Sequence, residues 1–198
     1  MVRVSGLPLA TRDSMRLGNL QRRADVKGLG PALALARLMA EGKSDFTILT
    51  FAGAVGLGKT HMALGIAWDW VERGQYVIYN QVEGLLDDLR GRFERAAKGH
   101  LHENDVTFGQ RWGQIMDCNL LVLDDFGAEK LTDWALAKLD ALVDYRYLNN
   151  LHMVVSSNLD KAKLPPRIAD RLIDTRKSRF VIFEGGSYRA IKGPEKVS

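Results

Sequence analysis

The sequence predicts an α/β domain in which a parallel sheet is covered by helices on both faces. Two observations carry this. Segments with strand character alternate with segments of helical spacing, and several of the strands are apolar throughout rather than alternating, as strands buried on both faces are. A third observation is a glycine-rich loop that leaves the first apolar run and enters a helix.

Taken in order, residues 1–30 are weakly patterned, and ALALARLMAEG from Pro31 has apolar residues at helical spacing, closed by Gly42. FTILTFAG (46–53) is a short apolar run entering glycines, hence a buried strand. The stretch 61–74 is a helix ended by Gly74, followed by a strand over 75–80 and a helix over 82–99. HLHENDVTFG (100–109) is a polar loop, and NLLVLDD (119–125) is a strand too apolar for a sheet edge. A helix over 131–148 has Thr132 as its cap, a fourth strand covers 151–158 and a fifth 178–185. Between these two strands, LPPRIADRLIDTR suits a short helix opened by its prolines.

Composition narrows the class. The 198 residues are 46% hydrophobic and 26% charged, the balance of a globular chain with one well-buried core. No apolar run reaches the ~18 residues of a membrane span, and the N-terminus has no secretory h-region. The single cysteine, Cys118, forms no internal disulfide and reads as a small core residue in a reducing, cytoplasmic setting. Charge is divided as +5 over residues 1–40, −7 over 41–160 and +6 over 161–198, which suits a polyanionic partner and equally suits solvated helices. His100 and His102 form an H-x-H pair without the further ligands that zinc needs.

Gly53-Ala54-Val55-Gly56-Leu57-Gly58-Lys59-Thr60 fits G-x-x-x-x-G-K-S/T in its strand–loop–helix context. Glycines let backbone N–H groups turn inward around a polyphosphate, and the helix that follows presents its positive end. Gly53, Val55, Gly56, Leu57, Gly58, Lys59, Thr60 and His61 are therefore the expected nucleotide-binding residues. Lys59 meets the β/γ-phosphates and Thr60 offers a hydroxyl to Mg²⁺. The strand ending in Asp124-Asp125 brings carboxylates to the same sheet edge, with Asp124 as the metal-side group and Asp125 as the group that polarises water. Asn158, at the next strand end, could position that water or simply serve a turn.

The order GAVGLGKT, LLVLDDFGAEK, VVSSNL, ADRL and GGSYR resembles the AAA+ ATPases of the bacterial DnaC/DnaI helicase-loader group and their IstB transposition relatives, from about Leu7 to the C-terminus. The resemblance implies a P-loop AAA+ core of five parallel strands in the order 5-1-4-3-2, with little or no lid, in which residues 1–44 are a lead-in and 45–198 the ATP-binding domain. It implies ATP/ADP and Mg²⁺ as ligands, and catalytic roles for Asp125, for Asn158 as sensor 1 and for Arg189 as the sensor 2 arginine. Arg171 matches the arginine finger offered to a neighbouring subunit, which implies a homo-oligomer. A solvated helix charge is the plainer alternative, and Arg167 is the second candidate for the finger.

The same resemblance matches LLDDLRGRFERAAKG to a helix that lines a channel for single-stranded DNA. Arg90 and Phe93 share one helical face there, so a phosphate contact and a stacking platform stand together; Thr132 and Trp134 fall at similar positions after the acidic strand. Core packing is the alternative for Phe93 and Trp134. Loaders of this type carry an N-terminal domain that grips a DnaB-type replicative helicase, and no such domain is expected before the lead-in here, so helicase contact is implied only weakly. The expected function is that of a slow ATPase loading a replicative helicase on single-stranded DNA. The alternatives are an IstB-type transposition helper on duplex DNA and a nucleotide-gated adaptor with little turnover.

Overall fold

Residues 4–21, 23–100, 102, 105–127 and 132–188 are described by the computed structural model. The elements are β1 (Val4–Ser5), α1 (Leu29–Ala40), β2 (Ile48–Gly53), α2 (Lys59–Glu72), β3 (Val77–Gln81), α3 (Val82–Ala97), α4 (Phe108–Asp117), β4 (Leu120–Phe126), α5 (Asp133–Leu148), β5 (His152–Ser157), α6 (Pro166–Ile173) and β6 (Ser178–Phe183).

All strand pairs are parallel, and the sheet order is β1-β3-β4-β5-β2-β6. Without β1 this is the expected five-stranded order. The two-residue β1 adds an edge beside β3, in a stretch too short to show any periodicity. Side chains alternate across the pleat. Leu49, Phe51, Val77, Leu120, Val122 and Val154 face one core with α1 and α2, while Ile48, Ile78, Leu121, Leu123, Met153 and Val155 face a second core with α3, α4, α5 and α6.

α4 was not expected. Its first residues fall inside the stretch read as a polar loop, and Gly109 and Gly113 lower its helix propensity. A capping box opens it: Thr107 accepts from the Gln110 backbone, and the Gln110 side chain accepts from the Thr107 backbone. Ile115 is fully buried and Trp112 and Met116 pack beside it, so tertiary burial holds the helix. α2 begins two residues before its expected start, at Lys59, because Gly58 takes the left-handed conformation of its N-cap.

The lead-in packs on α2. Leu7, Leu17 and Leu20 are buried with the first core, and Arg16 donates to Asp69 at 2.5 Å and to Glu72 at 2.7 Å. The Trp68 indole donates to the Thr11 hydroxyl at 3.3 Å. Gly65 leaves room for this crossing: a Cβ there would lie 2.9 Å from the Leu17 nitrogen.

Candidate nucleotide site

The loop between β2 and α2 has the backbone its glycines permit. Gly53, Gly56 and Gly58 have φ of 141°, 80° and 88°. At Gly56 the left-handed φ strains any side chain, and a Cβ would also force the Ser187 hydroxyl, 2.0 Å away, to move. The Lys59 ammonium, 5% exposed as a residue, donates to the carbonyls of Gly53 at 2.8 Å and Ala54 at 2.7 Å, which holds it over the loop. A cleft of about 520 Å³ opens beside the loop.

Val55, Gly56, Gly58, Lys59, Thr60 and His61 line this cleft, as do Asp125 and Asn158. Gly53 supplies a carbonyl to Lys59 from behind, and the Leu57 side chain is buried in the first core. His61 reaches the Arg16 carbonyl through Nε2 at 2.8 Å, so it ties the lead-in to the head of α2. Met15, Asn19, Leu20, Gln21 and Tyr188 also line the cleft, and of these only Tyr188 lies in a stretch the sequence analysis quoted. Tyr188 donates its backbone N–H to the Gly56 carbonyl at 2.8 Å. Only the G-G-S-Y-R match pointed toward it.

Parallel pairing places Asp124 beside α2. It follows Leu120 and Val122 on the α2 side of β4, and Thr60 donates to its Oδ1 at 3.1 Å. Ser156 also donates to Oδ1, and the Tyr79 hydroxyl donates to Oδ2 at 2.6 Å. Burial and the neighbouring Asp124 push the Tyr79 phenol well above its ordinary range, so it remains a donor. The register of β4 with β5 shifts between Leu123 and Phe126, a bulge in which Asp125 takes φ 55°. That left-handed conformation is uncommon for a residue with a side chain. The bulge turns successive carboxylates in different directions: Asp124 inward, 1% exposed, and Asp125 into the cleft. Asn158 Nδ2 donates to Asp125 Oδ1 at 3.5 Å.

Arg171 does not line this cleft. It donates to Asp144 and to Asp170, each at 2.8 Å, and lies 4.9 Å above the Tyr147 ring, in a separate groove between α5 and α6. Arg167 pairs with Asp140 at 3.0 Å in the same groove. Arg189 lies outside the described residues.

Of the four other expected residues, Arg90, Thr132 and Trp134 meet at a third place, and Phe93 lies three residues along α3 from Arg90. Arg90 donates to the Thr132 hydroxyl at 3.4 Å and stands 5.2 Å over the Trp134 ring. Thr132 also caps α5, accepting from the Ala135 N–H. Phe93 is 55% exposed, which excludes it from the core, and meets Phe108 edge-to-face at 6.0 Å. Phe108 and Trp112 of α4 continue this row, with the Lys138 ammonium 5.4 Å from the Phe108 ring centre. Sequence reasoning missed them because it missed α4. Among the described residues no cluster of three His, Cys, Asp or Glu side chains stands ready for a metal, and no helix is long and apolar enough to cross a membrane.

The sequence model of the family described as IstB-like ATP binding protein matches residues 35–192. An ATP-binding protein of an insertion sequence in Mycobacterium tuberculosis (strain ATCC 25618 / H37Rv) is 28% identical over 175 residues, which cover 84% of this chain and 63% of that protein. The replicative helicase loader DnaC of Buchnera aphidicola subsp. Acyrthosiphon pisum (strain APS) is 24% identical over 166 residues, or 82% of this chain and 65% of the relative. The chain thus spans just under two thirds of the length of these relatives. A crystal structure of the DnaC helicase loader superposes with a TM-score of 0.70 at 19% identity, covering 87% of this chain and 98% of that one, so the two share a fold. With most of its length matched and the phosphate loop in place, the chain belongs to the IstB-like ATP-binding protein family.

Proposed function

We propose that the protein is a cytoplasmic ATPase that couples ATP binding and hydrolysis to work on single-stranded DNA as a replicative-helicase loader. The observation that carries this reading is the convergence of Lys59, Thr60, Asp124, Asp125 and Asn158 at one end of the sheet, beside a cleft large enough for a nucleotide. The loop N–H groups and Lys59 would bind the phosphates. Thr60 and Asp124 are a hard-oxygen pair that suits Mg²⁺, which neutralises charge on the β- and γ-phosphates when bound. Asp125, directed into the cleft, accepts the proton of the attacking water, and Asn158 orients that water.

Arg171, held away from its own cleft, serves a neighbouring subunit in a homo-oligomer, and Arg189 is the candidate sensor 2 arginine. Arg90, Phe93, Thr132 and Trp134 form the DNA contact: a guanidinium for a phosphate beside aromatic faces for bases. A DnaB-type helicase is the partner that the DnaC relatives suggest. The family match and the insertion-sequence relative favour a second reading, a transposition helper acting on duplex DNA.

ATP turnover measured alone, with a single-stranded oligonucleotide and with its duplex tests these readings. Stimulation by the single strand is expected. Stimulation by duplex alone would favour the transposition helper, and absence of single-turnover hydrolysis would make the protein a nucleotide-gated adaptor.

A further inference from the structure

Asp124 is the most heavily hydrogen-bonded carboxylate at the nucleotide cleft, and one of its donors comes from a strand that carries none of the motif residues. Tyr79 sits on β3, two residues before the strand ends. Pleat alternation puts its ring on the α2 side with Val77, the side toward which Asp124 also points. Its hydroxyl donates to Asp124 Oδ2 at 2.6 Å. Oδ1 is engaged by Thr60 and Ser156. The Ser156 hydroxyl also accepts the backbone N–H of Asp125 at 3.0 Å, within the bulge.

The two oxygens of one carboxylate therefore have different tasks. Oδ1 faces the phosphate-loop threonine, and Oδ2 is anchored from behind. Both sit in a residue that is 1% exposed, so no bulk water substitutes for a missing donor. Without the anchor, a buried carboxylate oxygen is orphaned and the side chain is free to rotate toward other donors. That rotation would turn Oδ1 away from Thr60. A short hydrogen bond from a neutral phenol to a carboxylate is charge-assisted and directional, which suits it to fixing a rotamer.

We propose that Tyr79 is a positioning residue for the Mg²⁺-nucleotide site, holding the Asp124 carboxylate in the orientation that serves the metal. The proposal rests on the nucleotide-site reading above and goes beyond it by assigning a role to β3. Tyr79 acts through Asp124 and touches neither nucleotide nor metal in this scheme. Its contribution therefore belongs to the metal-dependent part of nucleotide affinity and not to phosphate-loop binding itself.

Titration of the full chain with a fluorescent ATP analogue, in Mg²⁺ and in EDTA, separates the two. In Tyr79→Phe, the ring that fills the core is kept and one oxygen is lost. The gain in affinity that Mg²⁺ confers on the parent should shrink by about tenfold, the value of one charge-assisted hydrogen bond. Affinity in EDTA should stay within about twofold of the parent, which also reports a folded loop. In an Asp124→Asn background the same substitution should add no further loss, because the carboxylate it orients is gone. An equal loss in both backgrounds, an unchanged Mg²⁺ gain in Tyr79→Phe, or a variant that fails to fold would overturn the proposal and assign Tyr79 to the core alone. A parent that binds nucleotide with no Mg²⁺ gain would overturn the metal-site reading together with it. An unchanged gain in the variant against a clear gain in the parent removes only the role of Tyr79.

Discussion

Arg90 stands over Trp134, its guanidinium carbon 5.2 Å from the ring centre, although one residue belongs to α3 and the other to α5. The contact spans the acidic strand β4 in sequence and joins two helices on the same side of the sheet. Cation–π attraction holds the guanidinium over the ring while one of its N–H groups reaches the Thr132 hydroxyl.

From this arrangement, Arg90→Ala combined with Phe93→Ala should weaken single-stranded DNA binding by about 2–5 kcal/mol, the loss of one phosphate contact and one stacked base. Phe93 is more than half exposed, so the variant should keep its fold and its ATP affinity. Anisotropy of a labelled oligonucleotide reads the effect. Equal affinity for parent and variant would remove this surface from the DNA path.

Lys59→Ala removes the ammonium that the Gly53 and Ala54 carbonyls hold at the cleft wall. ATP affinity should drop at least ~10-fold, given the strength of charge-assisted phosphate contacts. Titration with a fluorescent nucleotide checks this, and unchanged affinity would refute the phosphate-loop assignment.

Arg171→Ala should leave ATP affinity near that of the parent, because Arg171 lies in the groove with Asp144 and Asp170 and not in its own nucleotide cleft. Hydrolysis should fall by ~10³-fold or more, as for arginine fingers generally. Mixing it with Asp125→Asn should restore part of the activity in a concentration-dependent way, since one intact interface then combines a sound cleft with a sound arginine. Two folded, oligomeric variants that never complement each other would place Arg171 outside catalysis.

Gly65→Ala sets two magnitudes against each other. Alanine favours a helix interior by ~1 kcal/mol over glycine. Its Cβ would press on Leu17 at 2.9 Å, and overpacking commonly costs ~1–3 kcal/mol. The lead-in is the surface segment of the pair, so it should yield while α2 stays intact. The expected outcome is a melting temperature within about 3 °C of the parent. Nucleotide affinity should fall about fivefold, roughly 1 kcal/mol, as the Met15–Gln21 wall retreats. Calorimetry and nucleotide titration together decide it, and full retention of affinity would show that this wall contributes nothing.

Much of the sheet was legible because burial on both faces leaves continuous apolar runs such as Leu120–Leu123. The strand order itself came with the family resemblance. α4 escaped notice because its glycines dilute the periodicity, although Thr107 and Gln110 do spell a capping box. β1 is two residues long and has no pattern to read. At the site, the motif residues were legible from their spacing, which is set by chemistry. Tyr79 and Leu20 were not, since each reaches the cleft or its carboxylate through tertiary packing of segments distant in sequence. Arg171 shows the limit from the other side: its motif names a role, while its contacts here are to Asp144, Asp170 and Tyr147.

The crossing of the lead-in over Gly65 makes a bound nucleotide a stitch between the start of the chain and its middle. One lip of the cleft is Met15 to Gln21, and the other is the phosphate loop. Ligand occupancy and attachment of the N-terminal segment are then one coupled equilibrium, and coupling of this kind works equally in both directions. Nucleotide should shield the exposed Leu9 turn and its neighbours from proteases. By the same reciprocity, drawing the N-terminal segment away from Asp69 and Glu72 should weaken nucleotide binding in the cleft.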